Sequence, residues 1–214
     1  MADDNDWDMI IFPELSLTGY EPSTAKDLAI QKNDSRLDDF QQISNARNVL
    51  IGVGAPTKCQ AGICISMIIF QPNQARQIYS KKYLHKDEED FFVIGENHDL
   101  LTIKNKKLAL AICYELSVPE HSENAVKNGA EIYLASVAKT KNGVEKASET
   151  LSEIARRYSM TVLMSNCVGP SEDGICAGNS AVWNSKGEEV GKLDDHREGL
   201  LIFDTETNKT SSLI

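Results

Sequence analysis

The sequence predicts a single α/β domain over residues 1–214, built on mixed β-sheets. Two observations carry that expectation. Residues 107–167 alternate strand and helix patterns as β-α-β-α-β, which implies parallel pairing with helices on a sheet face. Hairpin patterns on both sides of this run add antiparallel strands, so the sheets are mixed. A chain of 214 residues suffices for one sizeable core, and no repeat, low-complexity segment or linker divides it.

Taken in order, residues 9–12 read as a short buried strand running into Pro13. Residues 35–50 place Leu37, Phe40, Ile43 and Arg47/Leu50 at helical intervals. Residues 50–55 and 63–71 are β-rich, and 74–84 extends the same sheet beyond a Pro72-Asn73 turn. In 107–113, Leu108, Leu110 and Ile112 alternate with small residues, as in a packed strand. A helix starts near Pro119 and ends before Gly129, a fitting C-terminal glycine. Residues 132–137 form a strand. Val144, Ala147, Leu151, Ile154, Ala155 and Tyr158 then share one helical face. Residues 161–167 make another strand, and 180–193 a hairpin turning at Asn184-Ser185-Lys186-Gly187.

Composition is that of a globular protein, 41% hydrophobic and 25% charged. A formal net charge of -10 disfavours nucleic acid or an anionic membrane as the main partner. No apolar stretch approaches the roughly 18 residues a membrane span requires. The acidic start MADDNDWDM lacks the basic-then-apolar layout of a signal peptide. Five cysteines, an odd number without framework spacing, predict free thiols and a cytoplasmic location.

Cys113 leads the residues that could carry chemistry. It ends a strand just ahead of a helix, and α/β sites gather beyond the carboxyl ends of strands. A thiol near a helix N-terminus or a lysine is a stabilised nucleophile; a buried cysteine is otherwise a small hydrophobe. Lys81 and Lys82 point to opposite faces if their segment is extended, so one can enter a site while the other stays in water. Glu14 sits where an apolar run ends, a costly place for an unpaired carboxylate. Glu88 and Glu89 lie in an acidic run before Phe91-Phe92. The histidines His85, His98, His121 and His196 show no metal-ligand spacing, and no CxxC pair exists. Gly52-Val53-Gly54 lacks the third glycine of a dinucleotide fingerprint.

In chain order, these pieces resemble the nitrilase superfamily of carbon–nitrogen hydrolases. Phe12-Pro13-Glu14-Leu15-Ser16-Leu17-Thr18-Gly19-Tyr20 is similar to its glutamate block. Tyr79-Ser80-Lys81, continued through Glu89, Phe92 and Gly95, is similar to its lysine block. Cys113-Tyr114-Glu115-Leu116-Ser117-Val118-Pro119-Glu120 is similar to its cysteine block. Ser165-Asn166 and Cys176-Ala177-Gly178-Asn179-Ser180 add support over residues 9–204.

The resemblance implies an α-β-β-α sandwich of two mixed sheets, assembled as a homodimer or larger homo-oligomer. It implies Cys113 as nucleophile, Glu14 as general base, Lys81 as oxyanion stabiliser and the backbone N–H of Tyr114 as a second donor. Glu89, with Glu88 as the adjacent alternative, would orient Lys81 and substrate. No metal or organic cofactor is implied. The substrate would be a small amide or N-carbamoyl compound, cleaved through a thioester. A small nitrile, and a noncatalytic binding role, are the alternatives. The family's usual first strand and helix have no counterpart ahead of residue 9, which predicts an uncovered sheet edge.

Overall fold

Parallel pairing starts at the first strand. A computed structural model describes residues 7–96, 100–172 and 174–214; residues 1–6 and His98 lie outside the described residues. Met9–Ile11 (β1) is followed by the short helix Ala25–Leu28 (α1) and by Asp38–Arg47 (α2). Leu50–Cys59 (β2) and Gly62–Phe70 (β3) form a long hairpin, and Gln77–Ser80 (β4) pairs with its second strand. This first sheet has order β1-β2-β3-β4, with β1 and β2 parallel and the remainder antiparallel.

Leu101–Ile103 (β5) and Lys106–Ile112 (β6) precede the helix Pro119–Lys127 (α3). Ile132–Val137 (β7), Lys141–Tyr158 (α4) and Thr161–Asn166 (β8) complete the expected alternation. Val168–Ser171 (β9) and Gly174–Ala177 (β10) make a small hairpin, and Ala181–Trp183 (β11) and Glu189–Lys192 (β12) a second. Leu200–Asp204 (β13) and Lys209–Leu213 (β14) form a third. The second sheet has order β12-β11-β8-β7-β6-β5, with β6, β7 and β8 parallel. Both sheets are mixed, as the sequence predicts.

Three apolar cores separate four layers. Leu37, just ahead of α2, and Phe40 within it pack on Val53, Ile68 and Phe70 of the first sheet. Leu50, Ile65, Met67 and Ile69 meet Leu108, Leu110, Ile112 and Leu134 between the sheets. Val144, Ala147, Leu151 and Ile154 of α4 cover the outer face of the second sheet. The 18 residues of α4 bury only that stripe, the pattern of a helix lying on a sheet. Two hydroxyls also tie the sheets together: Ser165 donates to the Ile11 carbonyl (3.2 Å) and Ser136 to that of Phe12 (3.0 Å).

The expectation of five free thiols needs correction. Cys59 and Cys64 are joined by a disulfide across the β2–β3 turn, with a Cα separation of 6.2 Å. Antiparallel register pairs Cys59 with Gly62 and Thr57 with Cys64, which sets the two cysteines on neighbouring positions of one hairpin. An odd cysteine count is silent about such a local pair. Cys113, Cys167 and Cys176 are free. Among the described residues, no helix is long and apolar enough to cross a membrane.

Candidate active site

Glu14 is held by backbone. Phe12 extends the β1–β2 pairing through its N–H to the Gly52 carbonyl (2.9 Å), and Pro13, with no N–H, ends it. The chain then turns back, with Leu15 left-handed at φ 50°. Both polar groups of Gly54 bind this turn: its carbonyl accepts from Leu17 N–H (3.0 Å), and its N–H donates to Ser16 Oγ (3.0 Å). The carboxylate that results is buried, only 3% exposed.

Lys81 follows β4 and is 0% exposed, whereas Lys82 is half-buried. Its backbone is fixed at both ends, N–H to the Ile65 carbonyl (2.8 Å) and carbonyl to the Gly95 N–H (2.7 Å). Its ammonium donates to Glu14 Oε1 at 3.0 Å and to Glu88 Oε1 at 2.6 Å. Glu88 Oε1 also accepts from the Tyr20 hydroxyl (3.0 Å), and Oε2 from the His85 N–H (2.7 Å).

The choice of Glu89 is corrected by this geometry. Glu89 is exposed, and the carboxylate that reaches Lys81 is that of Glu88. Residues Lys86–Glu88 form a 3-10 turn, and at three residues per turn adjacent side chains point apart.

Cys113 follows β6 with φ 46°, a conformation uncommon for a side-chain-bearing residue. Its partly buried thiol begins the 3-10 turn Cys113–Ser117. Glu115, fully buried, secures that turn. One oxygen accepts from Ile112 N–H and the Tyr79 hydroxyl (both 2.8 Å), the other from Lys82 N–H (2.7 Å). The strand end bearing Cys113 is thereby bonded to the segment bearing Lys81. Tyr114, 37% exposed, packs edge-on against the His85 ring at 5.3 Å.

Lys139 approaches the thiol from β7. Ser136 pairs with Ile112, so the residues just past β7 lie beside Cys113. Asn166 grips Lys139 at both backbone groups, accepting its N–H (2.8 Å) and donating to its carbonyl (3.1 Å).

Burial is the main electrostatic influence on the cluster. It raises the Glu14 pKa above the ordinary carboxylate value, against the pull of Lys81, and the charge of Glu88 adds to the rise. Burial and then Glu14 push the Cys113 thiol up to about 11, with Lys139 and Lys81 pulling the other way. Burial alone would lower Lys81, but Glu14, Cys113 and Glu88 outweigh it and keep the ammonium charged. Burial, Glu14 and Glu88 hold the Tyr20 hydroxyl protonated. The resting cluster therefore contains a neutral thiol and a fixed cation. Glu14 Oε2, buried and without a hydrogen bond, is the place for a proton.

Sequence reasoning gave no role to Tyr20, Glu115, Lys139 or Asn166. Lys139 could have been found by the rule that points to Cys113, since it too follows the carboxyl end of a parallel strand. Tyr20 gave no such signal, because it reaches Glu88 only through the fold. Among the described residues, the one group with metal-ligand chemistry is Asp194, Asp195 and His196, which is largely exposed. A cavity of about 600 Å³ lies elsewhere, between β1 and β13, lined by Met9, Ile11, Leu163, Leu201 and Phe203.

Two face-to-face mixed sheets between helices, with a cysteine, a lysine and two glutamates gathered at strand ends, define an α-β-β-α protein. The chain belongs to the carbon-nitrogen hydrolase family, whose model matches residues 1–214. The NitN amidase of Nesterenkonia sp. AN1 superposes with a TM-score of 0.78 at 23% identity, covering 88% of this chain and 76% of that one. A CN-hydrolase superfamily protein of Xanthomonas campestris gives 0.82 at 17% identity, covering 96% and 77%. In sequence, an (R)-stereoselective amidase of a Pseudomonas species is 24% identical over 79% of this chain. A glutamine-dependent NAD(+) synthetase of Acinetobacter baylyi is 25% identical over 94% of it. The chain spans 62% of the length of the first of these curated relatives and 39% of the second.

Proposed function

We propose that this protein hydrolyses the C–N bond of a small carboxamide or N-carbamoyl compound, with Cys113 as nucleophile. The observation that carries this reading is the Lys81 ammonium bridging Glu14 and Glu88 in the electrostatic field of the Cys113 thiol. A thiol held near 11 is a weak nucleophile at neutral pH and needs a base beside it. Glu14 is that base in its ionised form. Its raised pKa brings it closer to neutrality, where general acid–base catalysis works best.

In the first step the thiol proton passes to Glu14 and sulfur bonds to the carbonyl carbon, moving the carbonyl π pair onto oxygen. Lys81 uses two of its three N–H donors on carboxylates and keeps the third for this oxyanion. The Tyr114 N–H, in the first turn of a 3-10 segment, supplies a second donor. Collapse of the intermediate breaks the C–N bond. The leaving nitrogen takes the proton from Glu14, and a thioester remains. Glu14 then deprotonates water, whose oxygen attacks the thioester, and the thiol is regenerated with release of the acid. Glu88 and Tyr20 position Lys81 throughout.

Two similar proteins support an amide over a nitrile. A mutant of the Nesterenkonia amidase has been captured with the acetamide moiety of fluoroacetamide added covalently at its active-site cysteine. The Pseudomonas relative is an amidase by name. We carry the same reading to a homodimer or larger homo-oligomer, for which light scattering of the purified chain is the measurement. The test of function is ammonia release from a panel of small carboxamides and N-carbamoyl compounds, with nitriles in parallel and intact-mass detection of the acyl adduct. Turnover and an adduct, both lost in Cys113→Ala, support the reading. Turnover confined to nitriles, or a folded protein with neither adduct nor ammonia, overturns it.

A further inference from the structure

The acid–base cluster leaves one cation over. Glu14 and Glu88 are both held by Lys81, and that ammonium has no need of a further lysine. Lys139 nevertheless stands at the same edge of the sheet, and its placement is built. Asn166, only 6% exposed, binds Lys139 N–H and carbonyl and donates as well to the Gly178 carbonyl at 2.7 Å. The lysine stem runs over the first turn of α4 at Gly143. A Cβ at 143 would stand 3.3, 3.5 and 3.7 Å from Lys139 Cβ, Cγ and Cδ. Among the described residues, the Lys139 ammonium has no carboxylate partner, although it is half-buried.

We propose that Lys139 binds an anionic group of the substrate, so that the compound turned over at Cys113 carries a carboxylate or comparable anion beside its scissile amide. This rests on the amide-hydrolase reading above and names the substrate class for it. Two physical arguments favour a ligand over a role in activating the thiol. The thiol stays neutral at physiological pH even with Lys139 and Lys81 acting on it, so the positive charge of Lys139 is not used in making a resting thiolate. The chain as a whole carries a net charge of -10, a field that repels anions. An anionic substrate therefore requires a local cation at the reacting atom, and Lys139 supplies one. With Glu14 and Glu88 both engaged by Lys81, Lys139 is the charge left to meet an anion.

Alkylation of Cys113 tests this without requiring turnover. Iodoacetate and iodoacetamide both form a sulfur–carbon bond with loss of iodide, the thiol proton leaving to base, and they differ in carrying a carboxylate or a neutral amide. Mass spectrometry follows the rate at Cys113 for each reagent, with Cys167 as internal reference. In the unaltered protein the iodoacetate-to-iodoacetamide ratio at Cys113 should exceed that of glutathione and fall as salt is raised. In Lys139→Met the ratio should drop about ten- to a hundredfold, the size expected for a charge-assisted hydrogen bond. Lys139→Arg should retain most of it. A ratio equal to that of glutathione in the unaltered protein, or unchanged in Lys139→Met while both rates fall together, overturns the proposal and leaves the nucleophile standing. Cys113 reacting no faster than Cys167 with either reagent overturns the amide-hydrolase reading itself, and this inference with it.

Discussion

Lys81 joins two carboxylates of different purpose, and exchanging each for its amide separates them. In the proposed reaction Glu14 accepts and returns a proton, while Glu88 holds the ammonium in place. Glu88→Gln should lower kcat/KM about a hundredfold, in line with ångström-scale loss of position. Glu89→Gln should leave it within about twofold, because Glu89 faces solvent. Steady-state kinetics on the two variants check this directly, and a larger loss in Glu89→Gln than in Glu88→Gln would return the role to Glu89. The pH profile tests Glu14. Its pKa is raised by burial above the ordinary value of 4.5, and the base works only when deprotonated. Activity should therefore fall as pH drops through a midpoint lying above 4.5, and kcat/KM measured from pH 4 to 8 locates it. The chemistry proposed for this set comes from the resemblance of three motif blocks to the carbon–nitrogen hydrolases. The Glu88–Glu89 distinction could not be read from sequence, because facing rules rest on helix and strand periods and residues 86–88 follow neither.

Elements place these side chains through two close backbone approaches. Gly54 lies directly under the Glu14 turn, and a Cβ there would stand 2.3 Å from Leu15 N and 2.6 Å from the Pro13 carbonyl oxygen. Gly95 lies as close to Ser80: a Cβ there would stand 2.4 Å from the Ser80 carbonyl oxygen, and the Gly95 N–H fixes Lys81. Neither obstacle is a flexible side chain, so the backbone itself must shift. Gly54→Ala should lower the free energy of unfolding by about 2 kcal/mol, within the range for overpacking, and reduce activity beyond the unfolded fraction because Glu14 moves. Urea titration and kinetics on one preparation check both. Elements with clear periods, such as α4 and β6, are legible from their apolar spacing. The β9–β10 and β13–β14 hairpins are not, and composition explains why. Lys209–Leu213 is polar with mostly exposed positions, and Val168–Ser171 contains a glycine and a proline, so neither pattern marks a core-facing strand.

At the scale of the whole molecule, burying a polar cluster between two sheets couples the chemistry to stability. The four-layer order follows from the family resemblance, whereas periodicity alone yields only helices on mixed sheets. Which groups the layers bury is a tertiary fact, absent from local pattern, and it has a consequence at alkaline pH. Cys113 holds its proton to about 11 against an ordinary 9, and Lys81 is raised above its ordinary 10.5. Burial raises Tyr79 and Tyr133 well above 10. Every one of these groups binds its proton more tightly folded than unfolded. Over this range the unfolded chain therefore carries fewer protons, and the free energy of unfolding falls as pH rises. The contribution is intact below about pH 9 and is lost progressively above it, first through Cys113 and then through the tyrosines and Lys81. Urea midpoints measured at pH 8, 9.5 and 11 should decline in that order. Cys113→Ala should lessen the decline between the first two. A midpoint that rises with pH would mean that these groups are solvated, and that the site is open where the fold makes it dry.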